Sequence, residues 1–140
     1  MKKSFIGVGV ILMVIMVVLL VFSHSNTSSN QSQSNVKWYT NLTAGLQEAK
    51  NTNKPVFIDF YAGWCSYCKE LDENALSNSN VQEKLIQNYV LVKIDTDQNP
   101  DLSSQYKIYN LPTMVILNSN GQEIKRQQGY VTVDQLLSWI

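Results

Sequence analysis

Lys54-Pro55-Val56-Phe57-Ile58-Asp59-Phe60-Tyr61-Ala62-Gly63-Trp64-Cys65-Ser66-Tyr67-Cys68-Lys69 is the stretch on which the reading of this chain turns. Pro55 introduces a short run that is apolar apart from Asp59, the pattern of a strand buried on both faces. From about Cys65 the apolar spacing becomes helical and continues through Leu71, Ala75 and Leu76. Both cysteines therefore fall at a strand-to-helix junction, where functional groups of α/β folds are often displayed.

Reading outward, Val36-Lys37-Trp38-Tyr39 is a short first strand. Leu42–Lys50 carries apolar residues at 42, 46 and 49 and reads as a helix broken by Asn51–Lys54. Asn80 is suited to cap a second short helix that carries Val81, Leu85 and Ile86. Tyr89–Ile94 is strand-like. Asn99 precedes Pro100, a capping residue before a first-turn proline, so Asp101–Tyr106 reads as a helix. Thr113–Leu117 and Gln122–Gln127 flank Asn120-Gly121, a strong hairpin signal. Thr132 and Gln135 form a capping box that opens a last helix over Val133–Ile140. Tyr106, Ile108 and Leu136 are expected in or near the core. The order β-α-β-α-α-β-α-β-β-α predicts an α/β fold with a mixed central sheet flanked by helices.

The N-terminus stands apart from this pattern. Of 140 residues, Phe5–Phe22 is apolar throughout except for Gly7 and Gly9, behind Lys2 and Lys3. Such a run is just long enough to cross a bilayer, so residues 1–22 are expected to be a single-pass anchor in the cytoplasmic membrane. A cleaved signal sequence is the alternative, with Ser23-His24-Ser25 as a small-x-small site and a soluble periplasmic or secreted product. Under both readings the lysines stay inside and the rest is exported to the periplasmic or extracytoplasmic side. There is no lipobox cysteine. Residues 23–35 are Ser, Asn, Gln and Thr with a lone His24, a flexible linker that spans roughly 40 Å when extended. One domain remains, residues 36–140, which is long enough to bury a single core.

Charge excludes one class of partner. Eleven Lys and Arg balance eleven Asp and Glu, with no basic run or stripe, so nucleic acid is not expected to bind. Two cysteines are too few for a disulfide framework. At the start of a helix, free N–H groups favour a thiolate at Cys65, and the spacing puts both sulfurs on one face within bonding reach. That is the arrangement of redox chemistry. A zinc site would need more ligands than this chain has, and haem attachment would need histidine where Lys69 stands. An inert structural disulfide remains the competing reading, although so short a loop constrains the unfolded chain little. No metal or cofactor is expected.

With Leu111-Pro112-Thr113, Val92-Lys93-Ile94, Asp97-Gln98-Asn99-Pro100 and Gly129 added, the quoted stretch resembles the thioredoxin family over nearly all of residues 36–140. Within that family it most resembles the C-terminal, periplasmic domain of the thiol:disulfide interchange protein DsbD. The resemblance implies a thioredoxin fold and assigns roles. Cys65 would be the attacking nucleophile and Cys68 the resolving thiol, joined as a redox-active disulfide in the oxidised state. Asp59, six residues before Cys65, would lie beneath the cysteines and take the proton of the resolving thiol. An ordinary strand-end aspartate is the alternative. Lys93 would pair with Asp59, or else be a surface lysine. Asp72 matches a second acidic position. Pro112 would be a cis-proline, with the Leu111 backbone pairing with an incoming substrate strand. Trp64 would be a rim aromatic beside Cys65, or else a core residue.

Two departures bear on direction. Ser66-Tyr67 is neither the Gly-Pro of thioredoxins nor the Pro-His of the oxidant DsbA, although a Tyr at this place also occurs in DsbC-type isomerases. Gly63 replaces an acidic residue common in thioredoxins and DsbD, which should make the pair somewhat more oxidising. The expected function is a membrane-tethered, monomeric thiol:disulfide oxidoreductase that reduces disulfides of exported proteins. A separate transmembrane electron donor of the DsbD or CcdA kind would recharge it. The alternatives are an oxidant or isomerase of the same fold, and a non-catalytic binding module.

Overall fold

The computed structural model describes residues 36–140 and, before them, only Val14 and Ile15, which are helical and exposed. The expected membrane segment and the Ser/Asn/Gln linker otherwise lie outside the described residues. Among the described residues, no helix is long and apolar enough to cross a membrane.

The elements are β1 (Trp38–Tyr39), α1 (Leu42–Thr52), β2 (Val56–Tyr61), α2 (Ser66–Leu71), a π-helical turn (Asp72–Leu76), α3 (Ser79–Asn88), β3 (Val90–Asp95), α4 (Pro100–Gln105), β4 (Thr113–Leu117), β5 (Glu123–Gln128) and α5 (Val133–Trp139). Five strands form one sheet in the order β1-β3-β2-β4-β5. β1 and β2 run parallel to β3, whereas β4 is antiparallel to β2 and β5 to β4. The expected mixed sheet is present, with β2 in the middle.

Alternation along β2 explains why it reads as an unbroken apolar run. Val56, Ile58 and Phe60 enter a cluster with Ala49, Val92, Ile94 and Val115, on the face covered by α1 and α4. Phe57 faces the other way, into a cluster with Leu71, Leu85, Leu91, Met114 and Leu136. Trp38, Tyr89 and Trp139 meet the Phe57 ring edge-on at centroid distances of 6.1, 6.2 and 6.1 Å. Asp59 shares the parity of Phe57. It is therefore directed toward the layer that holds α2, α3 and α5, and it is buried there.

Local details differ from the expectations at four places. α1 runs through Asn51 and Thr52, where a break was expected, and ends at Asn53 in the left-handed conformation. Asn78, not Asn80, caps α3, since its extended backbone lets Oδ1 accept from the N–H groups of Asn80 and Val81 at 3.0 and 3.4 Å. Ser77-Asn78-Ser79-Asn80 offers four capping-competent residues, and only backbone geometry selects among them. Asn99 precedes α4 but makes no cap. Its amide donates to the Asp95 carbonyl at 2.9 Å and ties the β3–α4 loop instead. The β4–β5 connection is longer than a two-residue hairpin. Asn118 organises it by accepting from the Asn120 and Gln122 N–H groups, with Gly121 at φ 84° and a register shift at Ile116/Leu117. The capping box of Thr132 and Gln135 is present as expected.

Candidate redox site

Cys65 and Cys68 are joined by a disulfide, with their Cα atoms 5.3 Å apart. Cys65 is the N-cap of α2, and its sulfur accepts the Cys68 N–H at 3.1 Å. The Cys65 N–H in turn donates to the Ala62 carbonyl at 3.1 Å, which fixes the turn out of β2. Cys65 is 8% exposed and Cys68 3%, so the second sulfur lies deeper. Ala62, Cys65 and Cys68 form a small buried cluster against which Tyr61 and Leu111 pack. Tyr61, Ala62, Gly63, both cysteines, Lys69 and Asp72 line a shallow depression of about 200 Å³ beside the disulfide.

Behind this depression runs a charged chain. Asp59 is 1% exposed, and among the described residues its Oδ1 has no hydrogen-bond partner. Lys93, its parallel neighbour on β3, brings Nζ to 3.4 Å from Oδ2. The same ammonium hydrogen-bonds Asp72 at the start of the π turn. It also lies over the rings of Tyr61 and Trp38, at 5.1 and 5.8 Å from their centroids. Burial pushes the Asp59 carboxyl up to about 6. The Lys93 charge pulls against that shift, and the Asp72 charge adds to it. A carboxyl poised there can hold or release a proton near neutral pH.

The Leu111-Pro112 bond is cis. Pro112 is buried and its carbonyl accepts the Gly129 N–H at 2.8 Å, while Thr113 Oγ1 donates to the Asn110 carbonyl at 2.6 Å. Trp64 is 74% exposed, which removes the core-packing alternative for it. Its indole N–H donates to Asp97 Oδ2 at 2.9 Å, across to the loop after β3.

Of the residues singled out by sequence, Cys65, Cys68 and Leu111 make up one cluster. Asp59, Lys93 and Asp72 form an ion-paired chain whose outer member lines the same depression. Pro112 follows Leu111 across the cis bond, and the exposed Trp64 is tied to Asp97 and does not line that depression. Sequence reasoning passed over Tyr61, although its place two residues after Asp59 puts it on the same face of β2. It also passed over Asp97, which is 33 residues from Trp64 and carries no local signal of that pairing. Tyr67 and the 80%-exposed Tyr109 are further exposed aromatics, one between the cysteines and one just before the cis bond.

Residues 42–140 match the family model described as a thioredoxin-like domain. The chain is 36% identical over 97 residues to the thiol:disulfide interchange protein DsbD of Campylobacter jejuni, covering 67% of this chain but only 17% of that protein. It is 36% identical over 101 residues to a thioredoxin of Mycoplasmoides gallisepticum, covering 72% of this chain and 95% of the relative. Among solved structures, the DsbD C-terminal domain of Neisseria meningitidis in its reduced form superposes with a TM-score of 0.62. Its identity is 25%, and the match covers 74% of this chain and 96% of that one. With a bonded cysteine pair at the mouth of its central strand, this chain belongs to the thioredoxin-like domain family and is a relative of the thiol:disulfide interchange protein DsbD.

Proposed function

We propose that this thioredoxin-like oxidoreductase reduces disulfides of exported proteins by dithiol exchange through Cys65 and Cys68. The observation that carries this reading is the Cys65–Cys68 disulfide at the N-terminus of α2, next to the Asp59–Lys93–Asp72 chain. In the reduced enzyme the Cys65 thiolate attacks one sulfur of a substrate disulfide, forming a mixed disulfide and releasing one substrate thiolate. The Cys68 thiol then gives its proton to the Asp59 carboxylate, and its sulfur attacks Cys65 Sγ. The second substrate thiolate leaves and the intramolecular disulfide forms. Two electrons pass to the substrate, and Asp59 returns its proton to solvent.

Lys93 neutralises part of the Asp59 charge, and the Leu111-Pro112 backbone presents the edge on which a substrate strand pairs. Trp64 supplies a rim surface for the substrate. In this reading the N-terminal apolar segment anchors a monomeric domain to the extracytoplasmic side of the membrane. A separate transmembrane dithiol donor then restores the reduced pair. The similarity to DsbD, which covers only a small part of that protein, supports the kind of partner. The test is turbidimetric insulin reduction with a dithiol donor. The chain should catalyse it, and Cys65→Ser should abolish turnover. A chain that leaves the insulin disulfides intact would be a binding module.

A further inference from the structure

The Lys93 ammonium is shared. It hydrogen-bonds Asp72, whose carboxylate is half-exposed and lines the depression at the disulfide, and it stands 3.4 Å from the buried Asp59. The ammonium also lies over the rings of Tyr61 and Trp38, at 5.1 and 5.8 Å from their centroids. No other charge reaches Asp59 among the described residues. Met114 of β4 stands opposite it without a charge, α2 presents the non-titrating disulfide, and Lys69 and Glu73 pair with each other in solvent at 3.8 Å. Nothing among the described residues hydrogen-bonds Asp59 Oδ1.

We propose that Asp72 is a positioning residue for Lys93. By holding part of the ammonium, it leaves Asp59 incompletely neutralised and so sets the pH at which that carboxyl exchanges a proton with Cys68. The inference rests on the dithiol-exchange reading of the site and deepens it. Without Asp72 the lysine would serve Asp59 alone. The carboxylate would then be better stabilised and would accept a proton less readily. With Asp72 present, the lysine keeps an ionic partner whichever state Asp59 is in, so a proton can come and go without stranding a buried charge. The direction of the Asp59 shift agrees, with burial and the Asp72 charge both raising it.

The experiment reads the Asp59 side-chain carboxyl directly, by carbon-detected NMR titration of the oxidised full-length chain. Asp72→Asn should lower the titration midpoint by roughly one pH unit, and Asp72→Glu should restore it. In a Lys93→Met background the Asp72→Asn shift should shrink to less than half, since the effect runs through the lysine. An unchanged or raised midpoint in Asp72→Asn overturns the proposal, as does an undiminished shift without the lysine. The titration needs no turnover, so a failure of insulin reduction by the unsubstituted chain would count against the exchange reading and not against this one.

Discussion

Asp59 and Lys93 face each other across the parallel β2–β3 register, with Nζ 3.4 Å from Oδ2, yet the carboxyl is held up to about 6. A cation this close ordinarily depresses a carboxyl, so the desolvation of a side chain 1% exposed outweighs the pairing. The neutral form of Asp59 is favoured by the fold, and its ionised form is tolerated.

That relationship makes stability depend on pH. The folded-state value, about 6, lies above the ordinary 3.8, so between them the folded chain binds more protons than the unfolded one. Stability therefore falls as pH rises through this window and levels off above it. Asp59→Asn should remove the slope. At pH 7 the oxidised variant should be more stable than the native chain by on the order of 1–3 kcal/mol, with little difference near pH 4. Urea denaturation at both pH values checks this, and a slope that survives the substitution would assign it to other groups.

The same substitution should slow exchange. With the proton acceptor gone, insulin reduction at pH 7 should fall by roughly tenfold or more. A variant that gains stability yet keeps full activity would remove Asp59 from the chemistry.

Cys68 lies deeper than Cys65 and is the resolving sulfur in this account. Cys68→Ser should therefore accumulate mixed disulfides through Cys65, visible as adducts on non-reducing gels and released by dithiothreitol. Cys65→Ser should accumulate none. The reverse pattern would exchange the two roles.

Trp64 touches solvent over most of its surface, and its polar contact among the described residues is Asp97. Trp64→Ala should cost no more than about 1.5 kcal/mol of stability, the worth of one hydrogen bond. It should nevertheless raise KM for insulin several-fold, while kcat changes little. An unaltered KM would make the indole a bystander.

Gly45 tests the scaffold. A Cβ built there would lie 2.4 Å from Val92 Cγ2, so α1 packs on β3 only because this position has no side chain. Gly45→Ala should destabilise the domain by about 1–3 kcal/mol, read by thermal denaturation, without altering exchange per folded molecule.

Much of this was legible in the sequence, because β2 writes its burial into its composition and the cysteine spacing fixes the start of α2. The capping box at Thr132 is local chemistry and appears as written. The Asn78 cap was not legible, because adjacent Ser and Asn residues compete and the backbone decides. The five-residue β4–β5 loop likewise depends on Asn118, which Asn120-Gly121 overshadows in the sequence. At the site, Asp59 stood out as a charge inside an apolar run, whereas Lys93 and Asp72 were singled out only through the family resemblance, and the sharing of one ammonium by two carboxylates needs three elements in register. Trp64 could not be assigned to surface or core from its place in the sequence, and its 74% exposure decides.

Whether Cys65 and Cys68 deliver electrons to substrates is read from the equilibrium reduction potential of this pair. A reductase gives a value near that of thioredoxin, about −270 mV, whereas a value near that of DsbA, about −120 mV, would make the chain an oxidant and overturn the proposed direction.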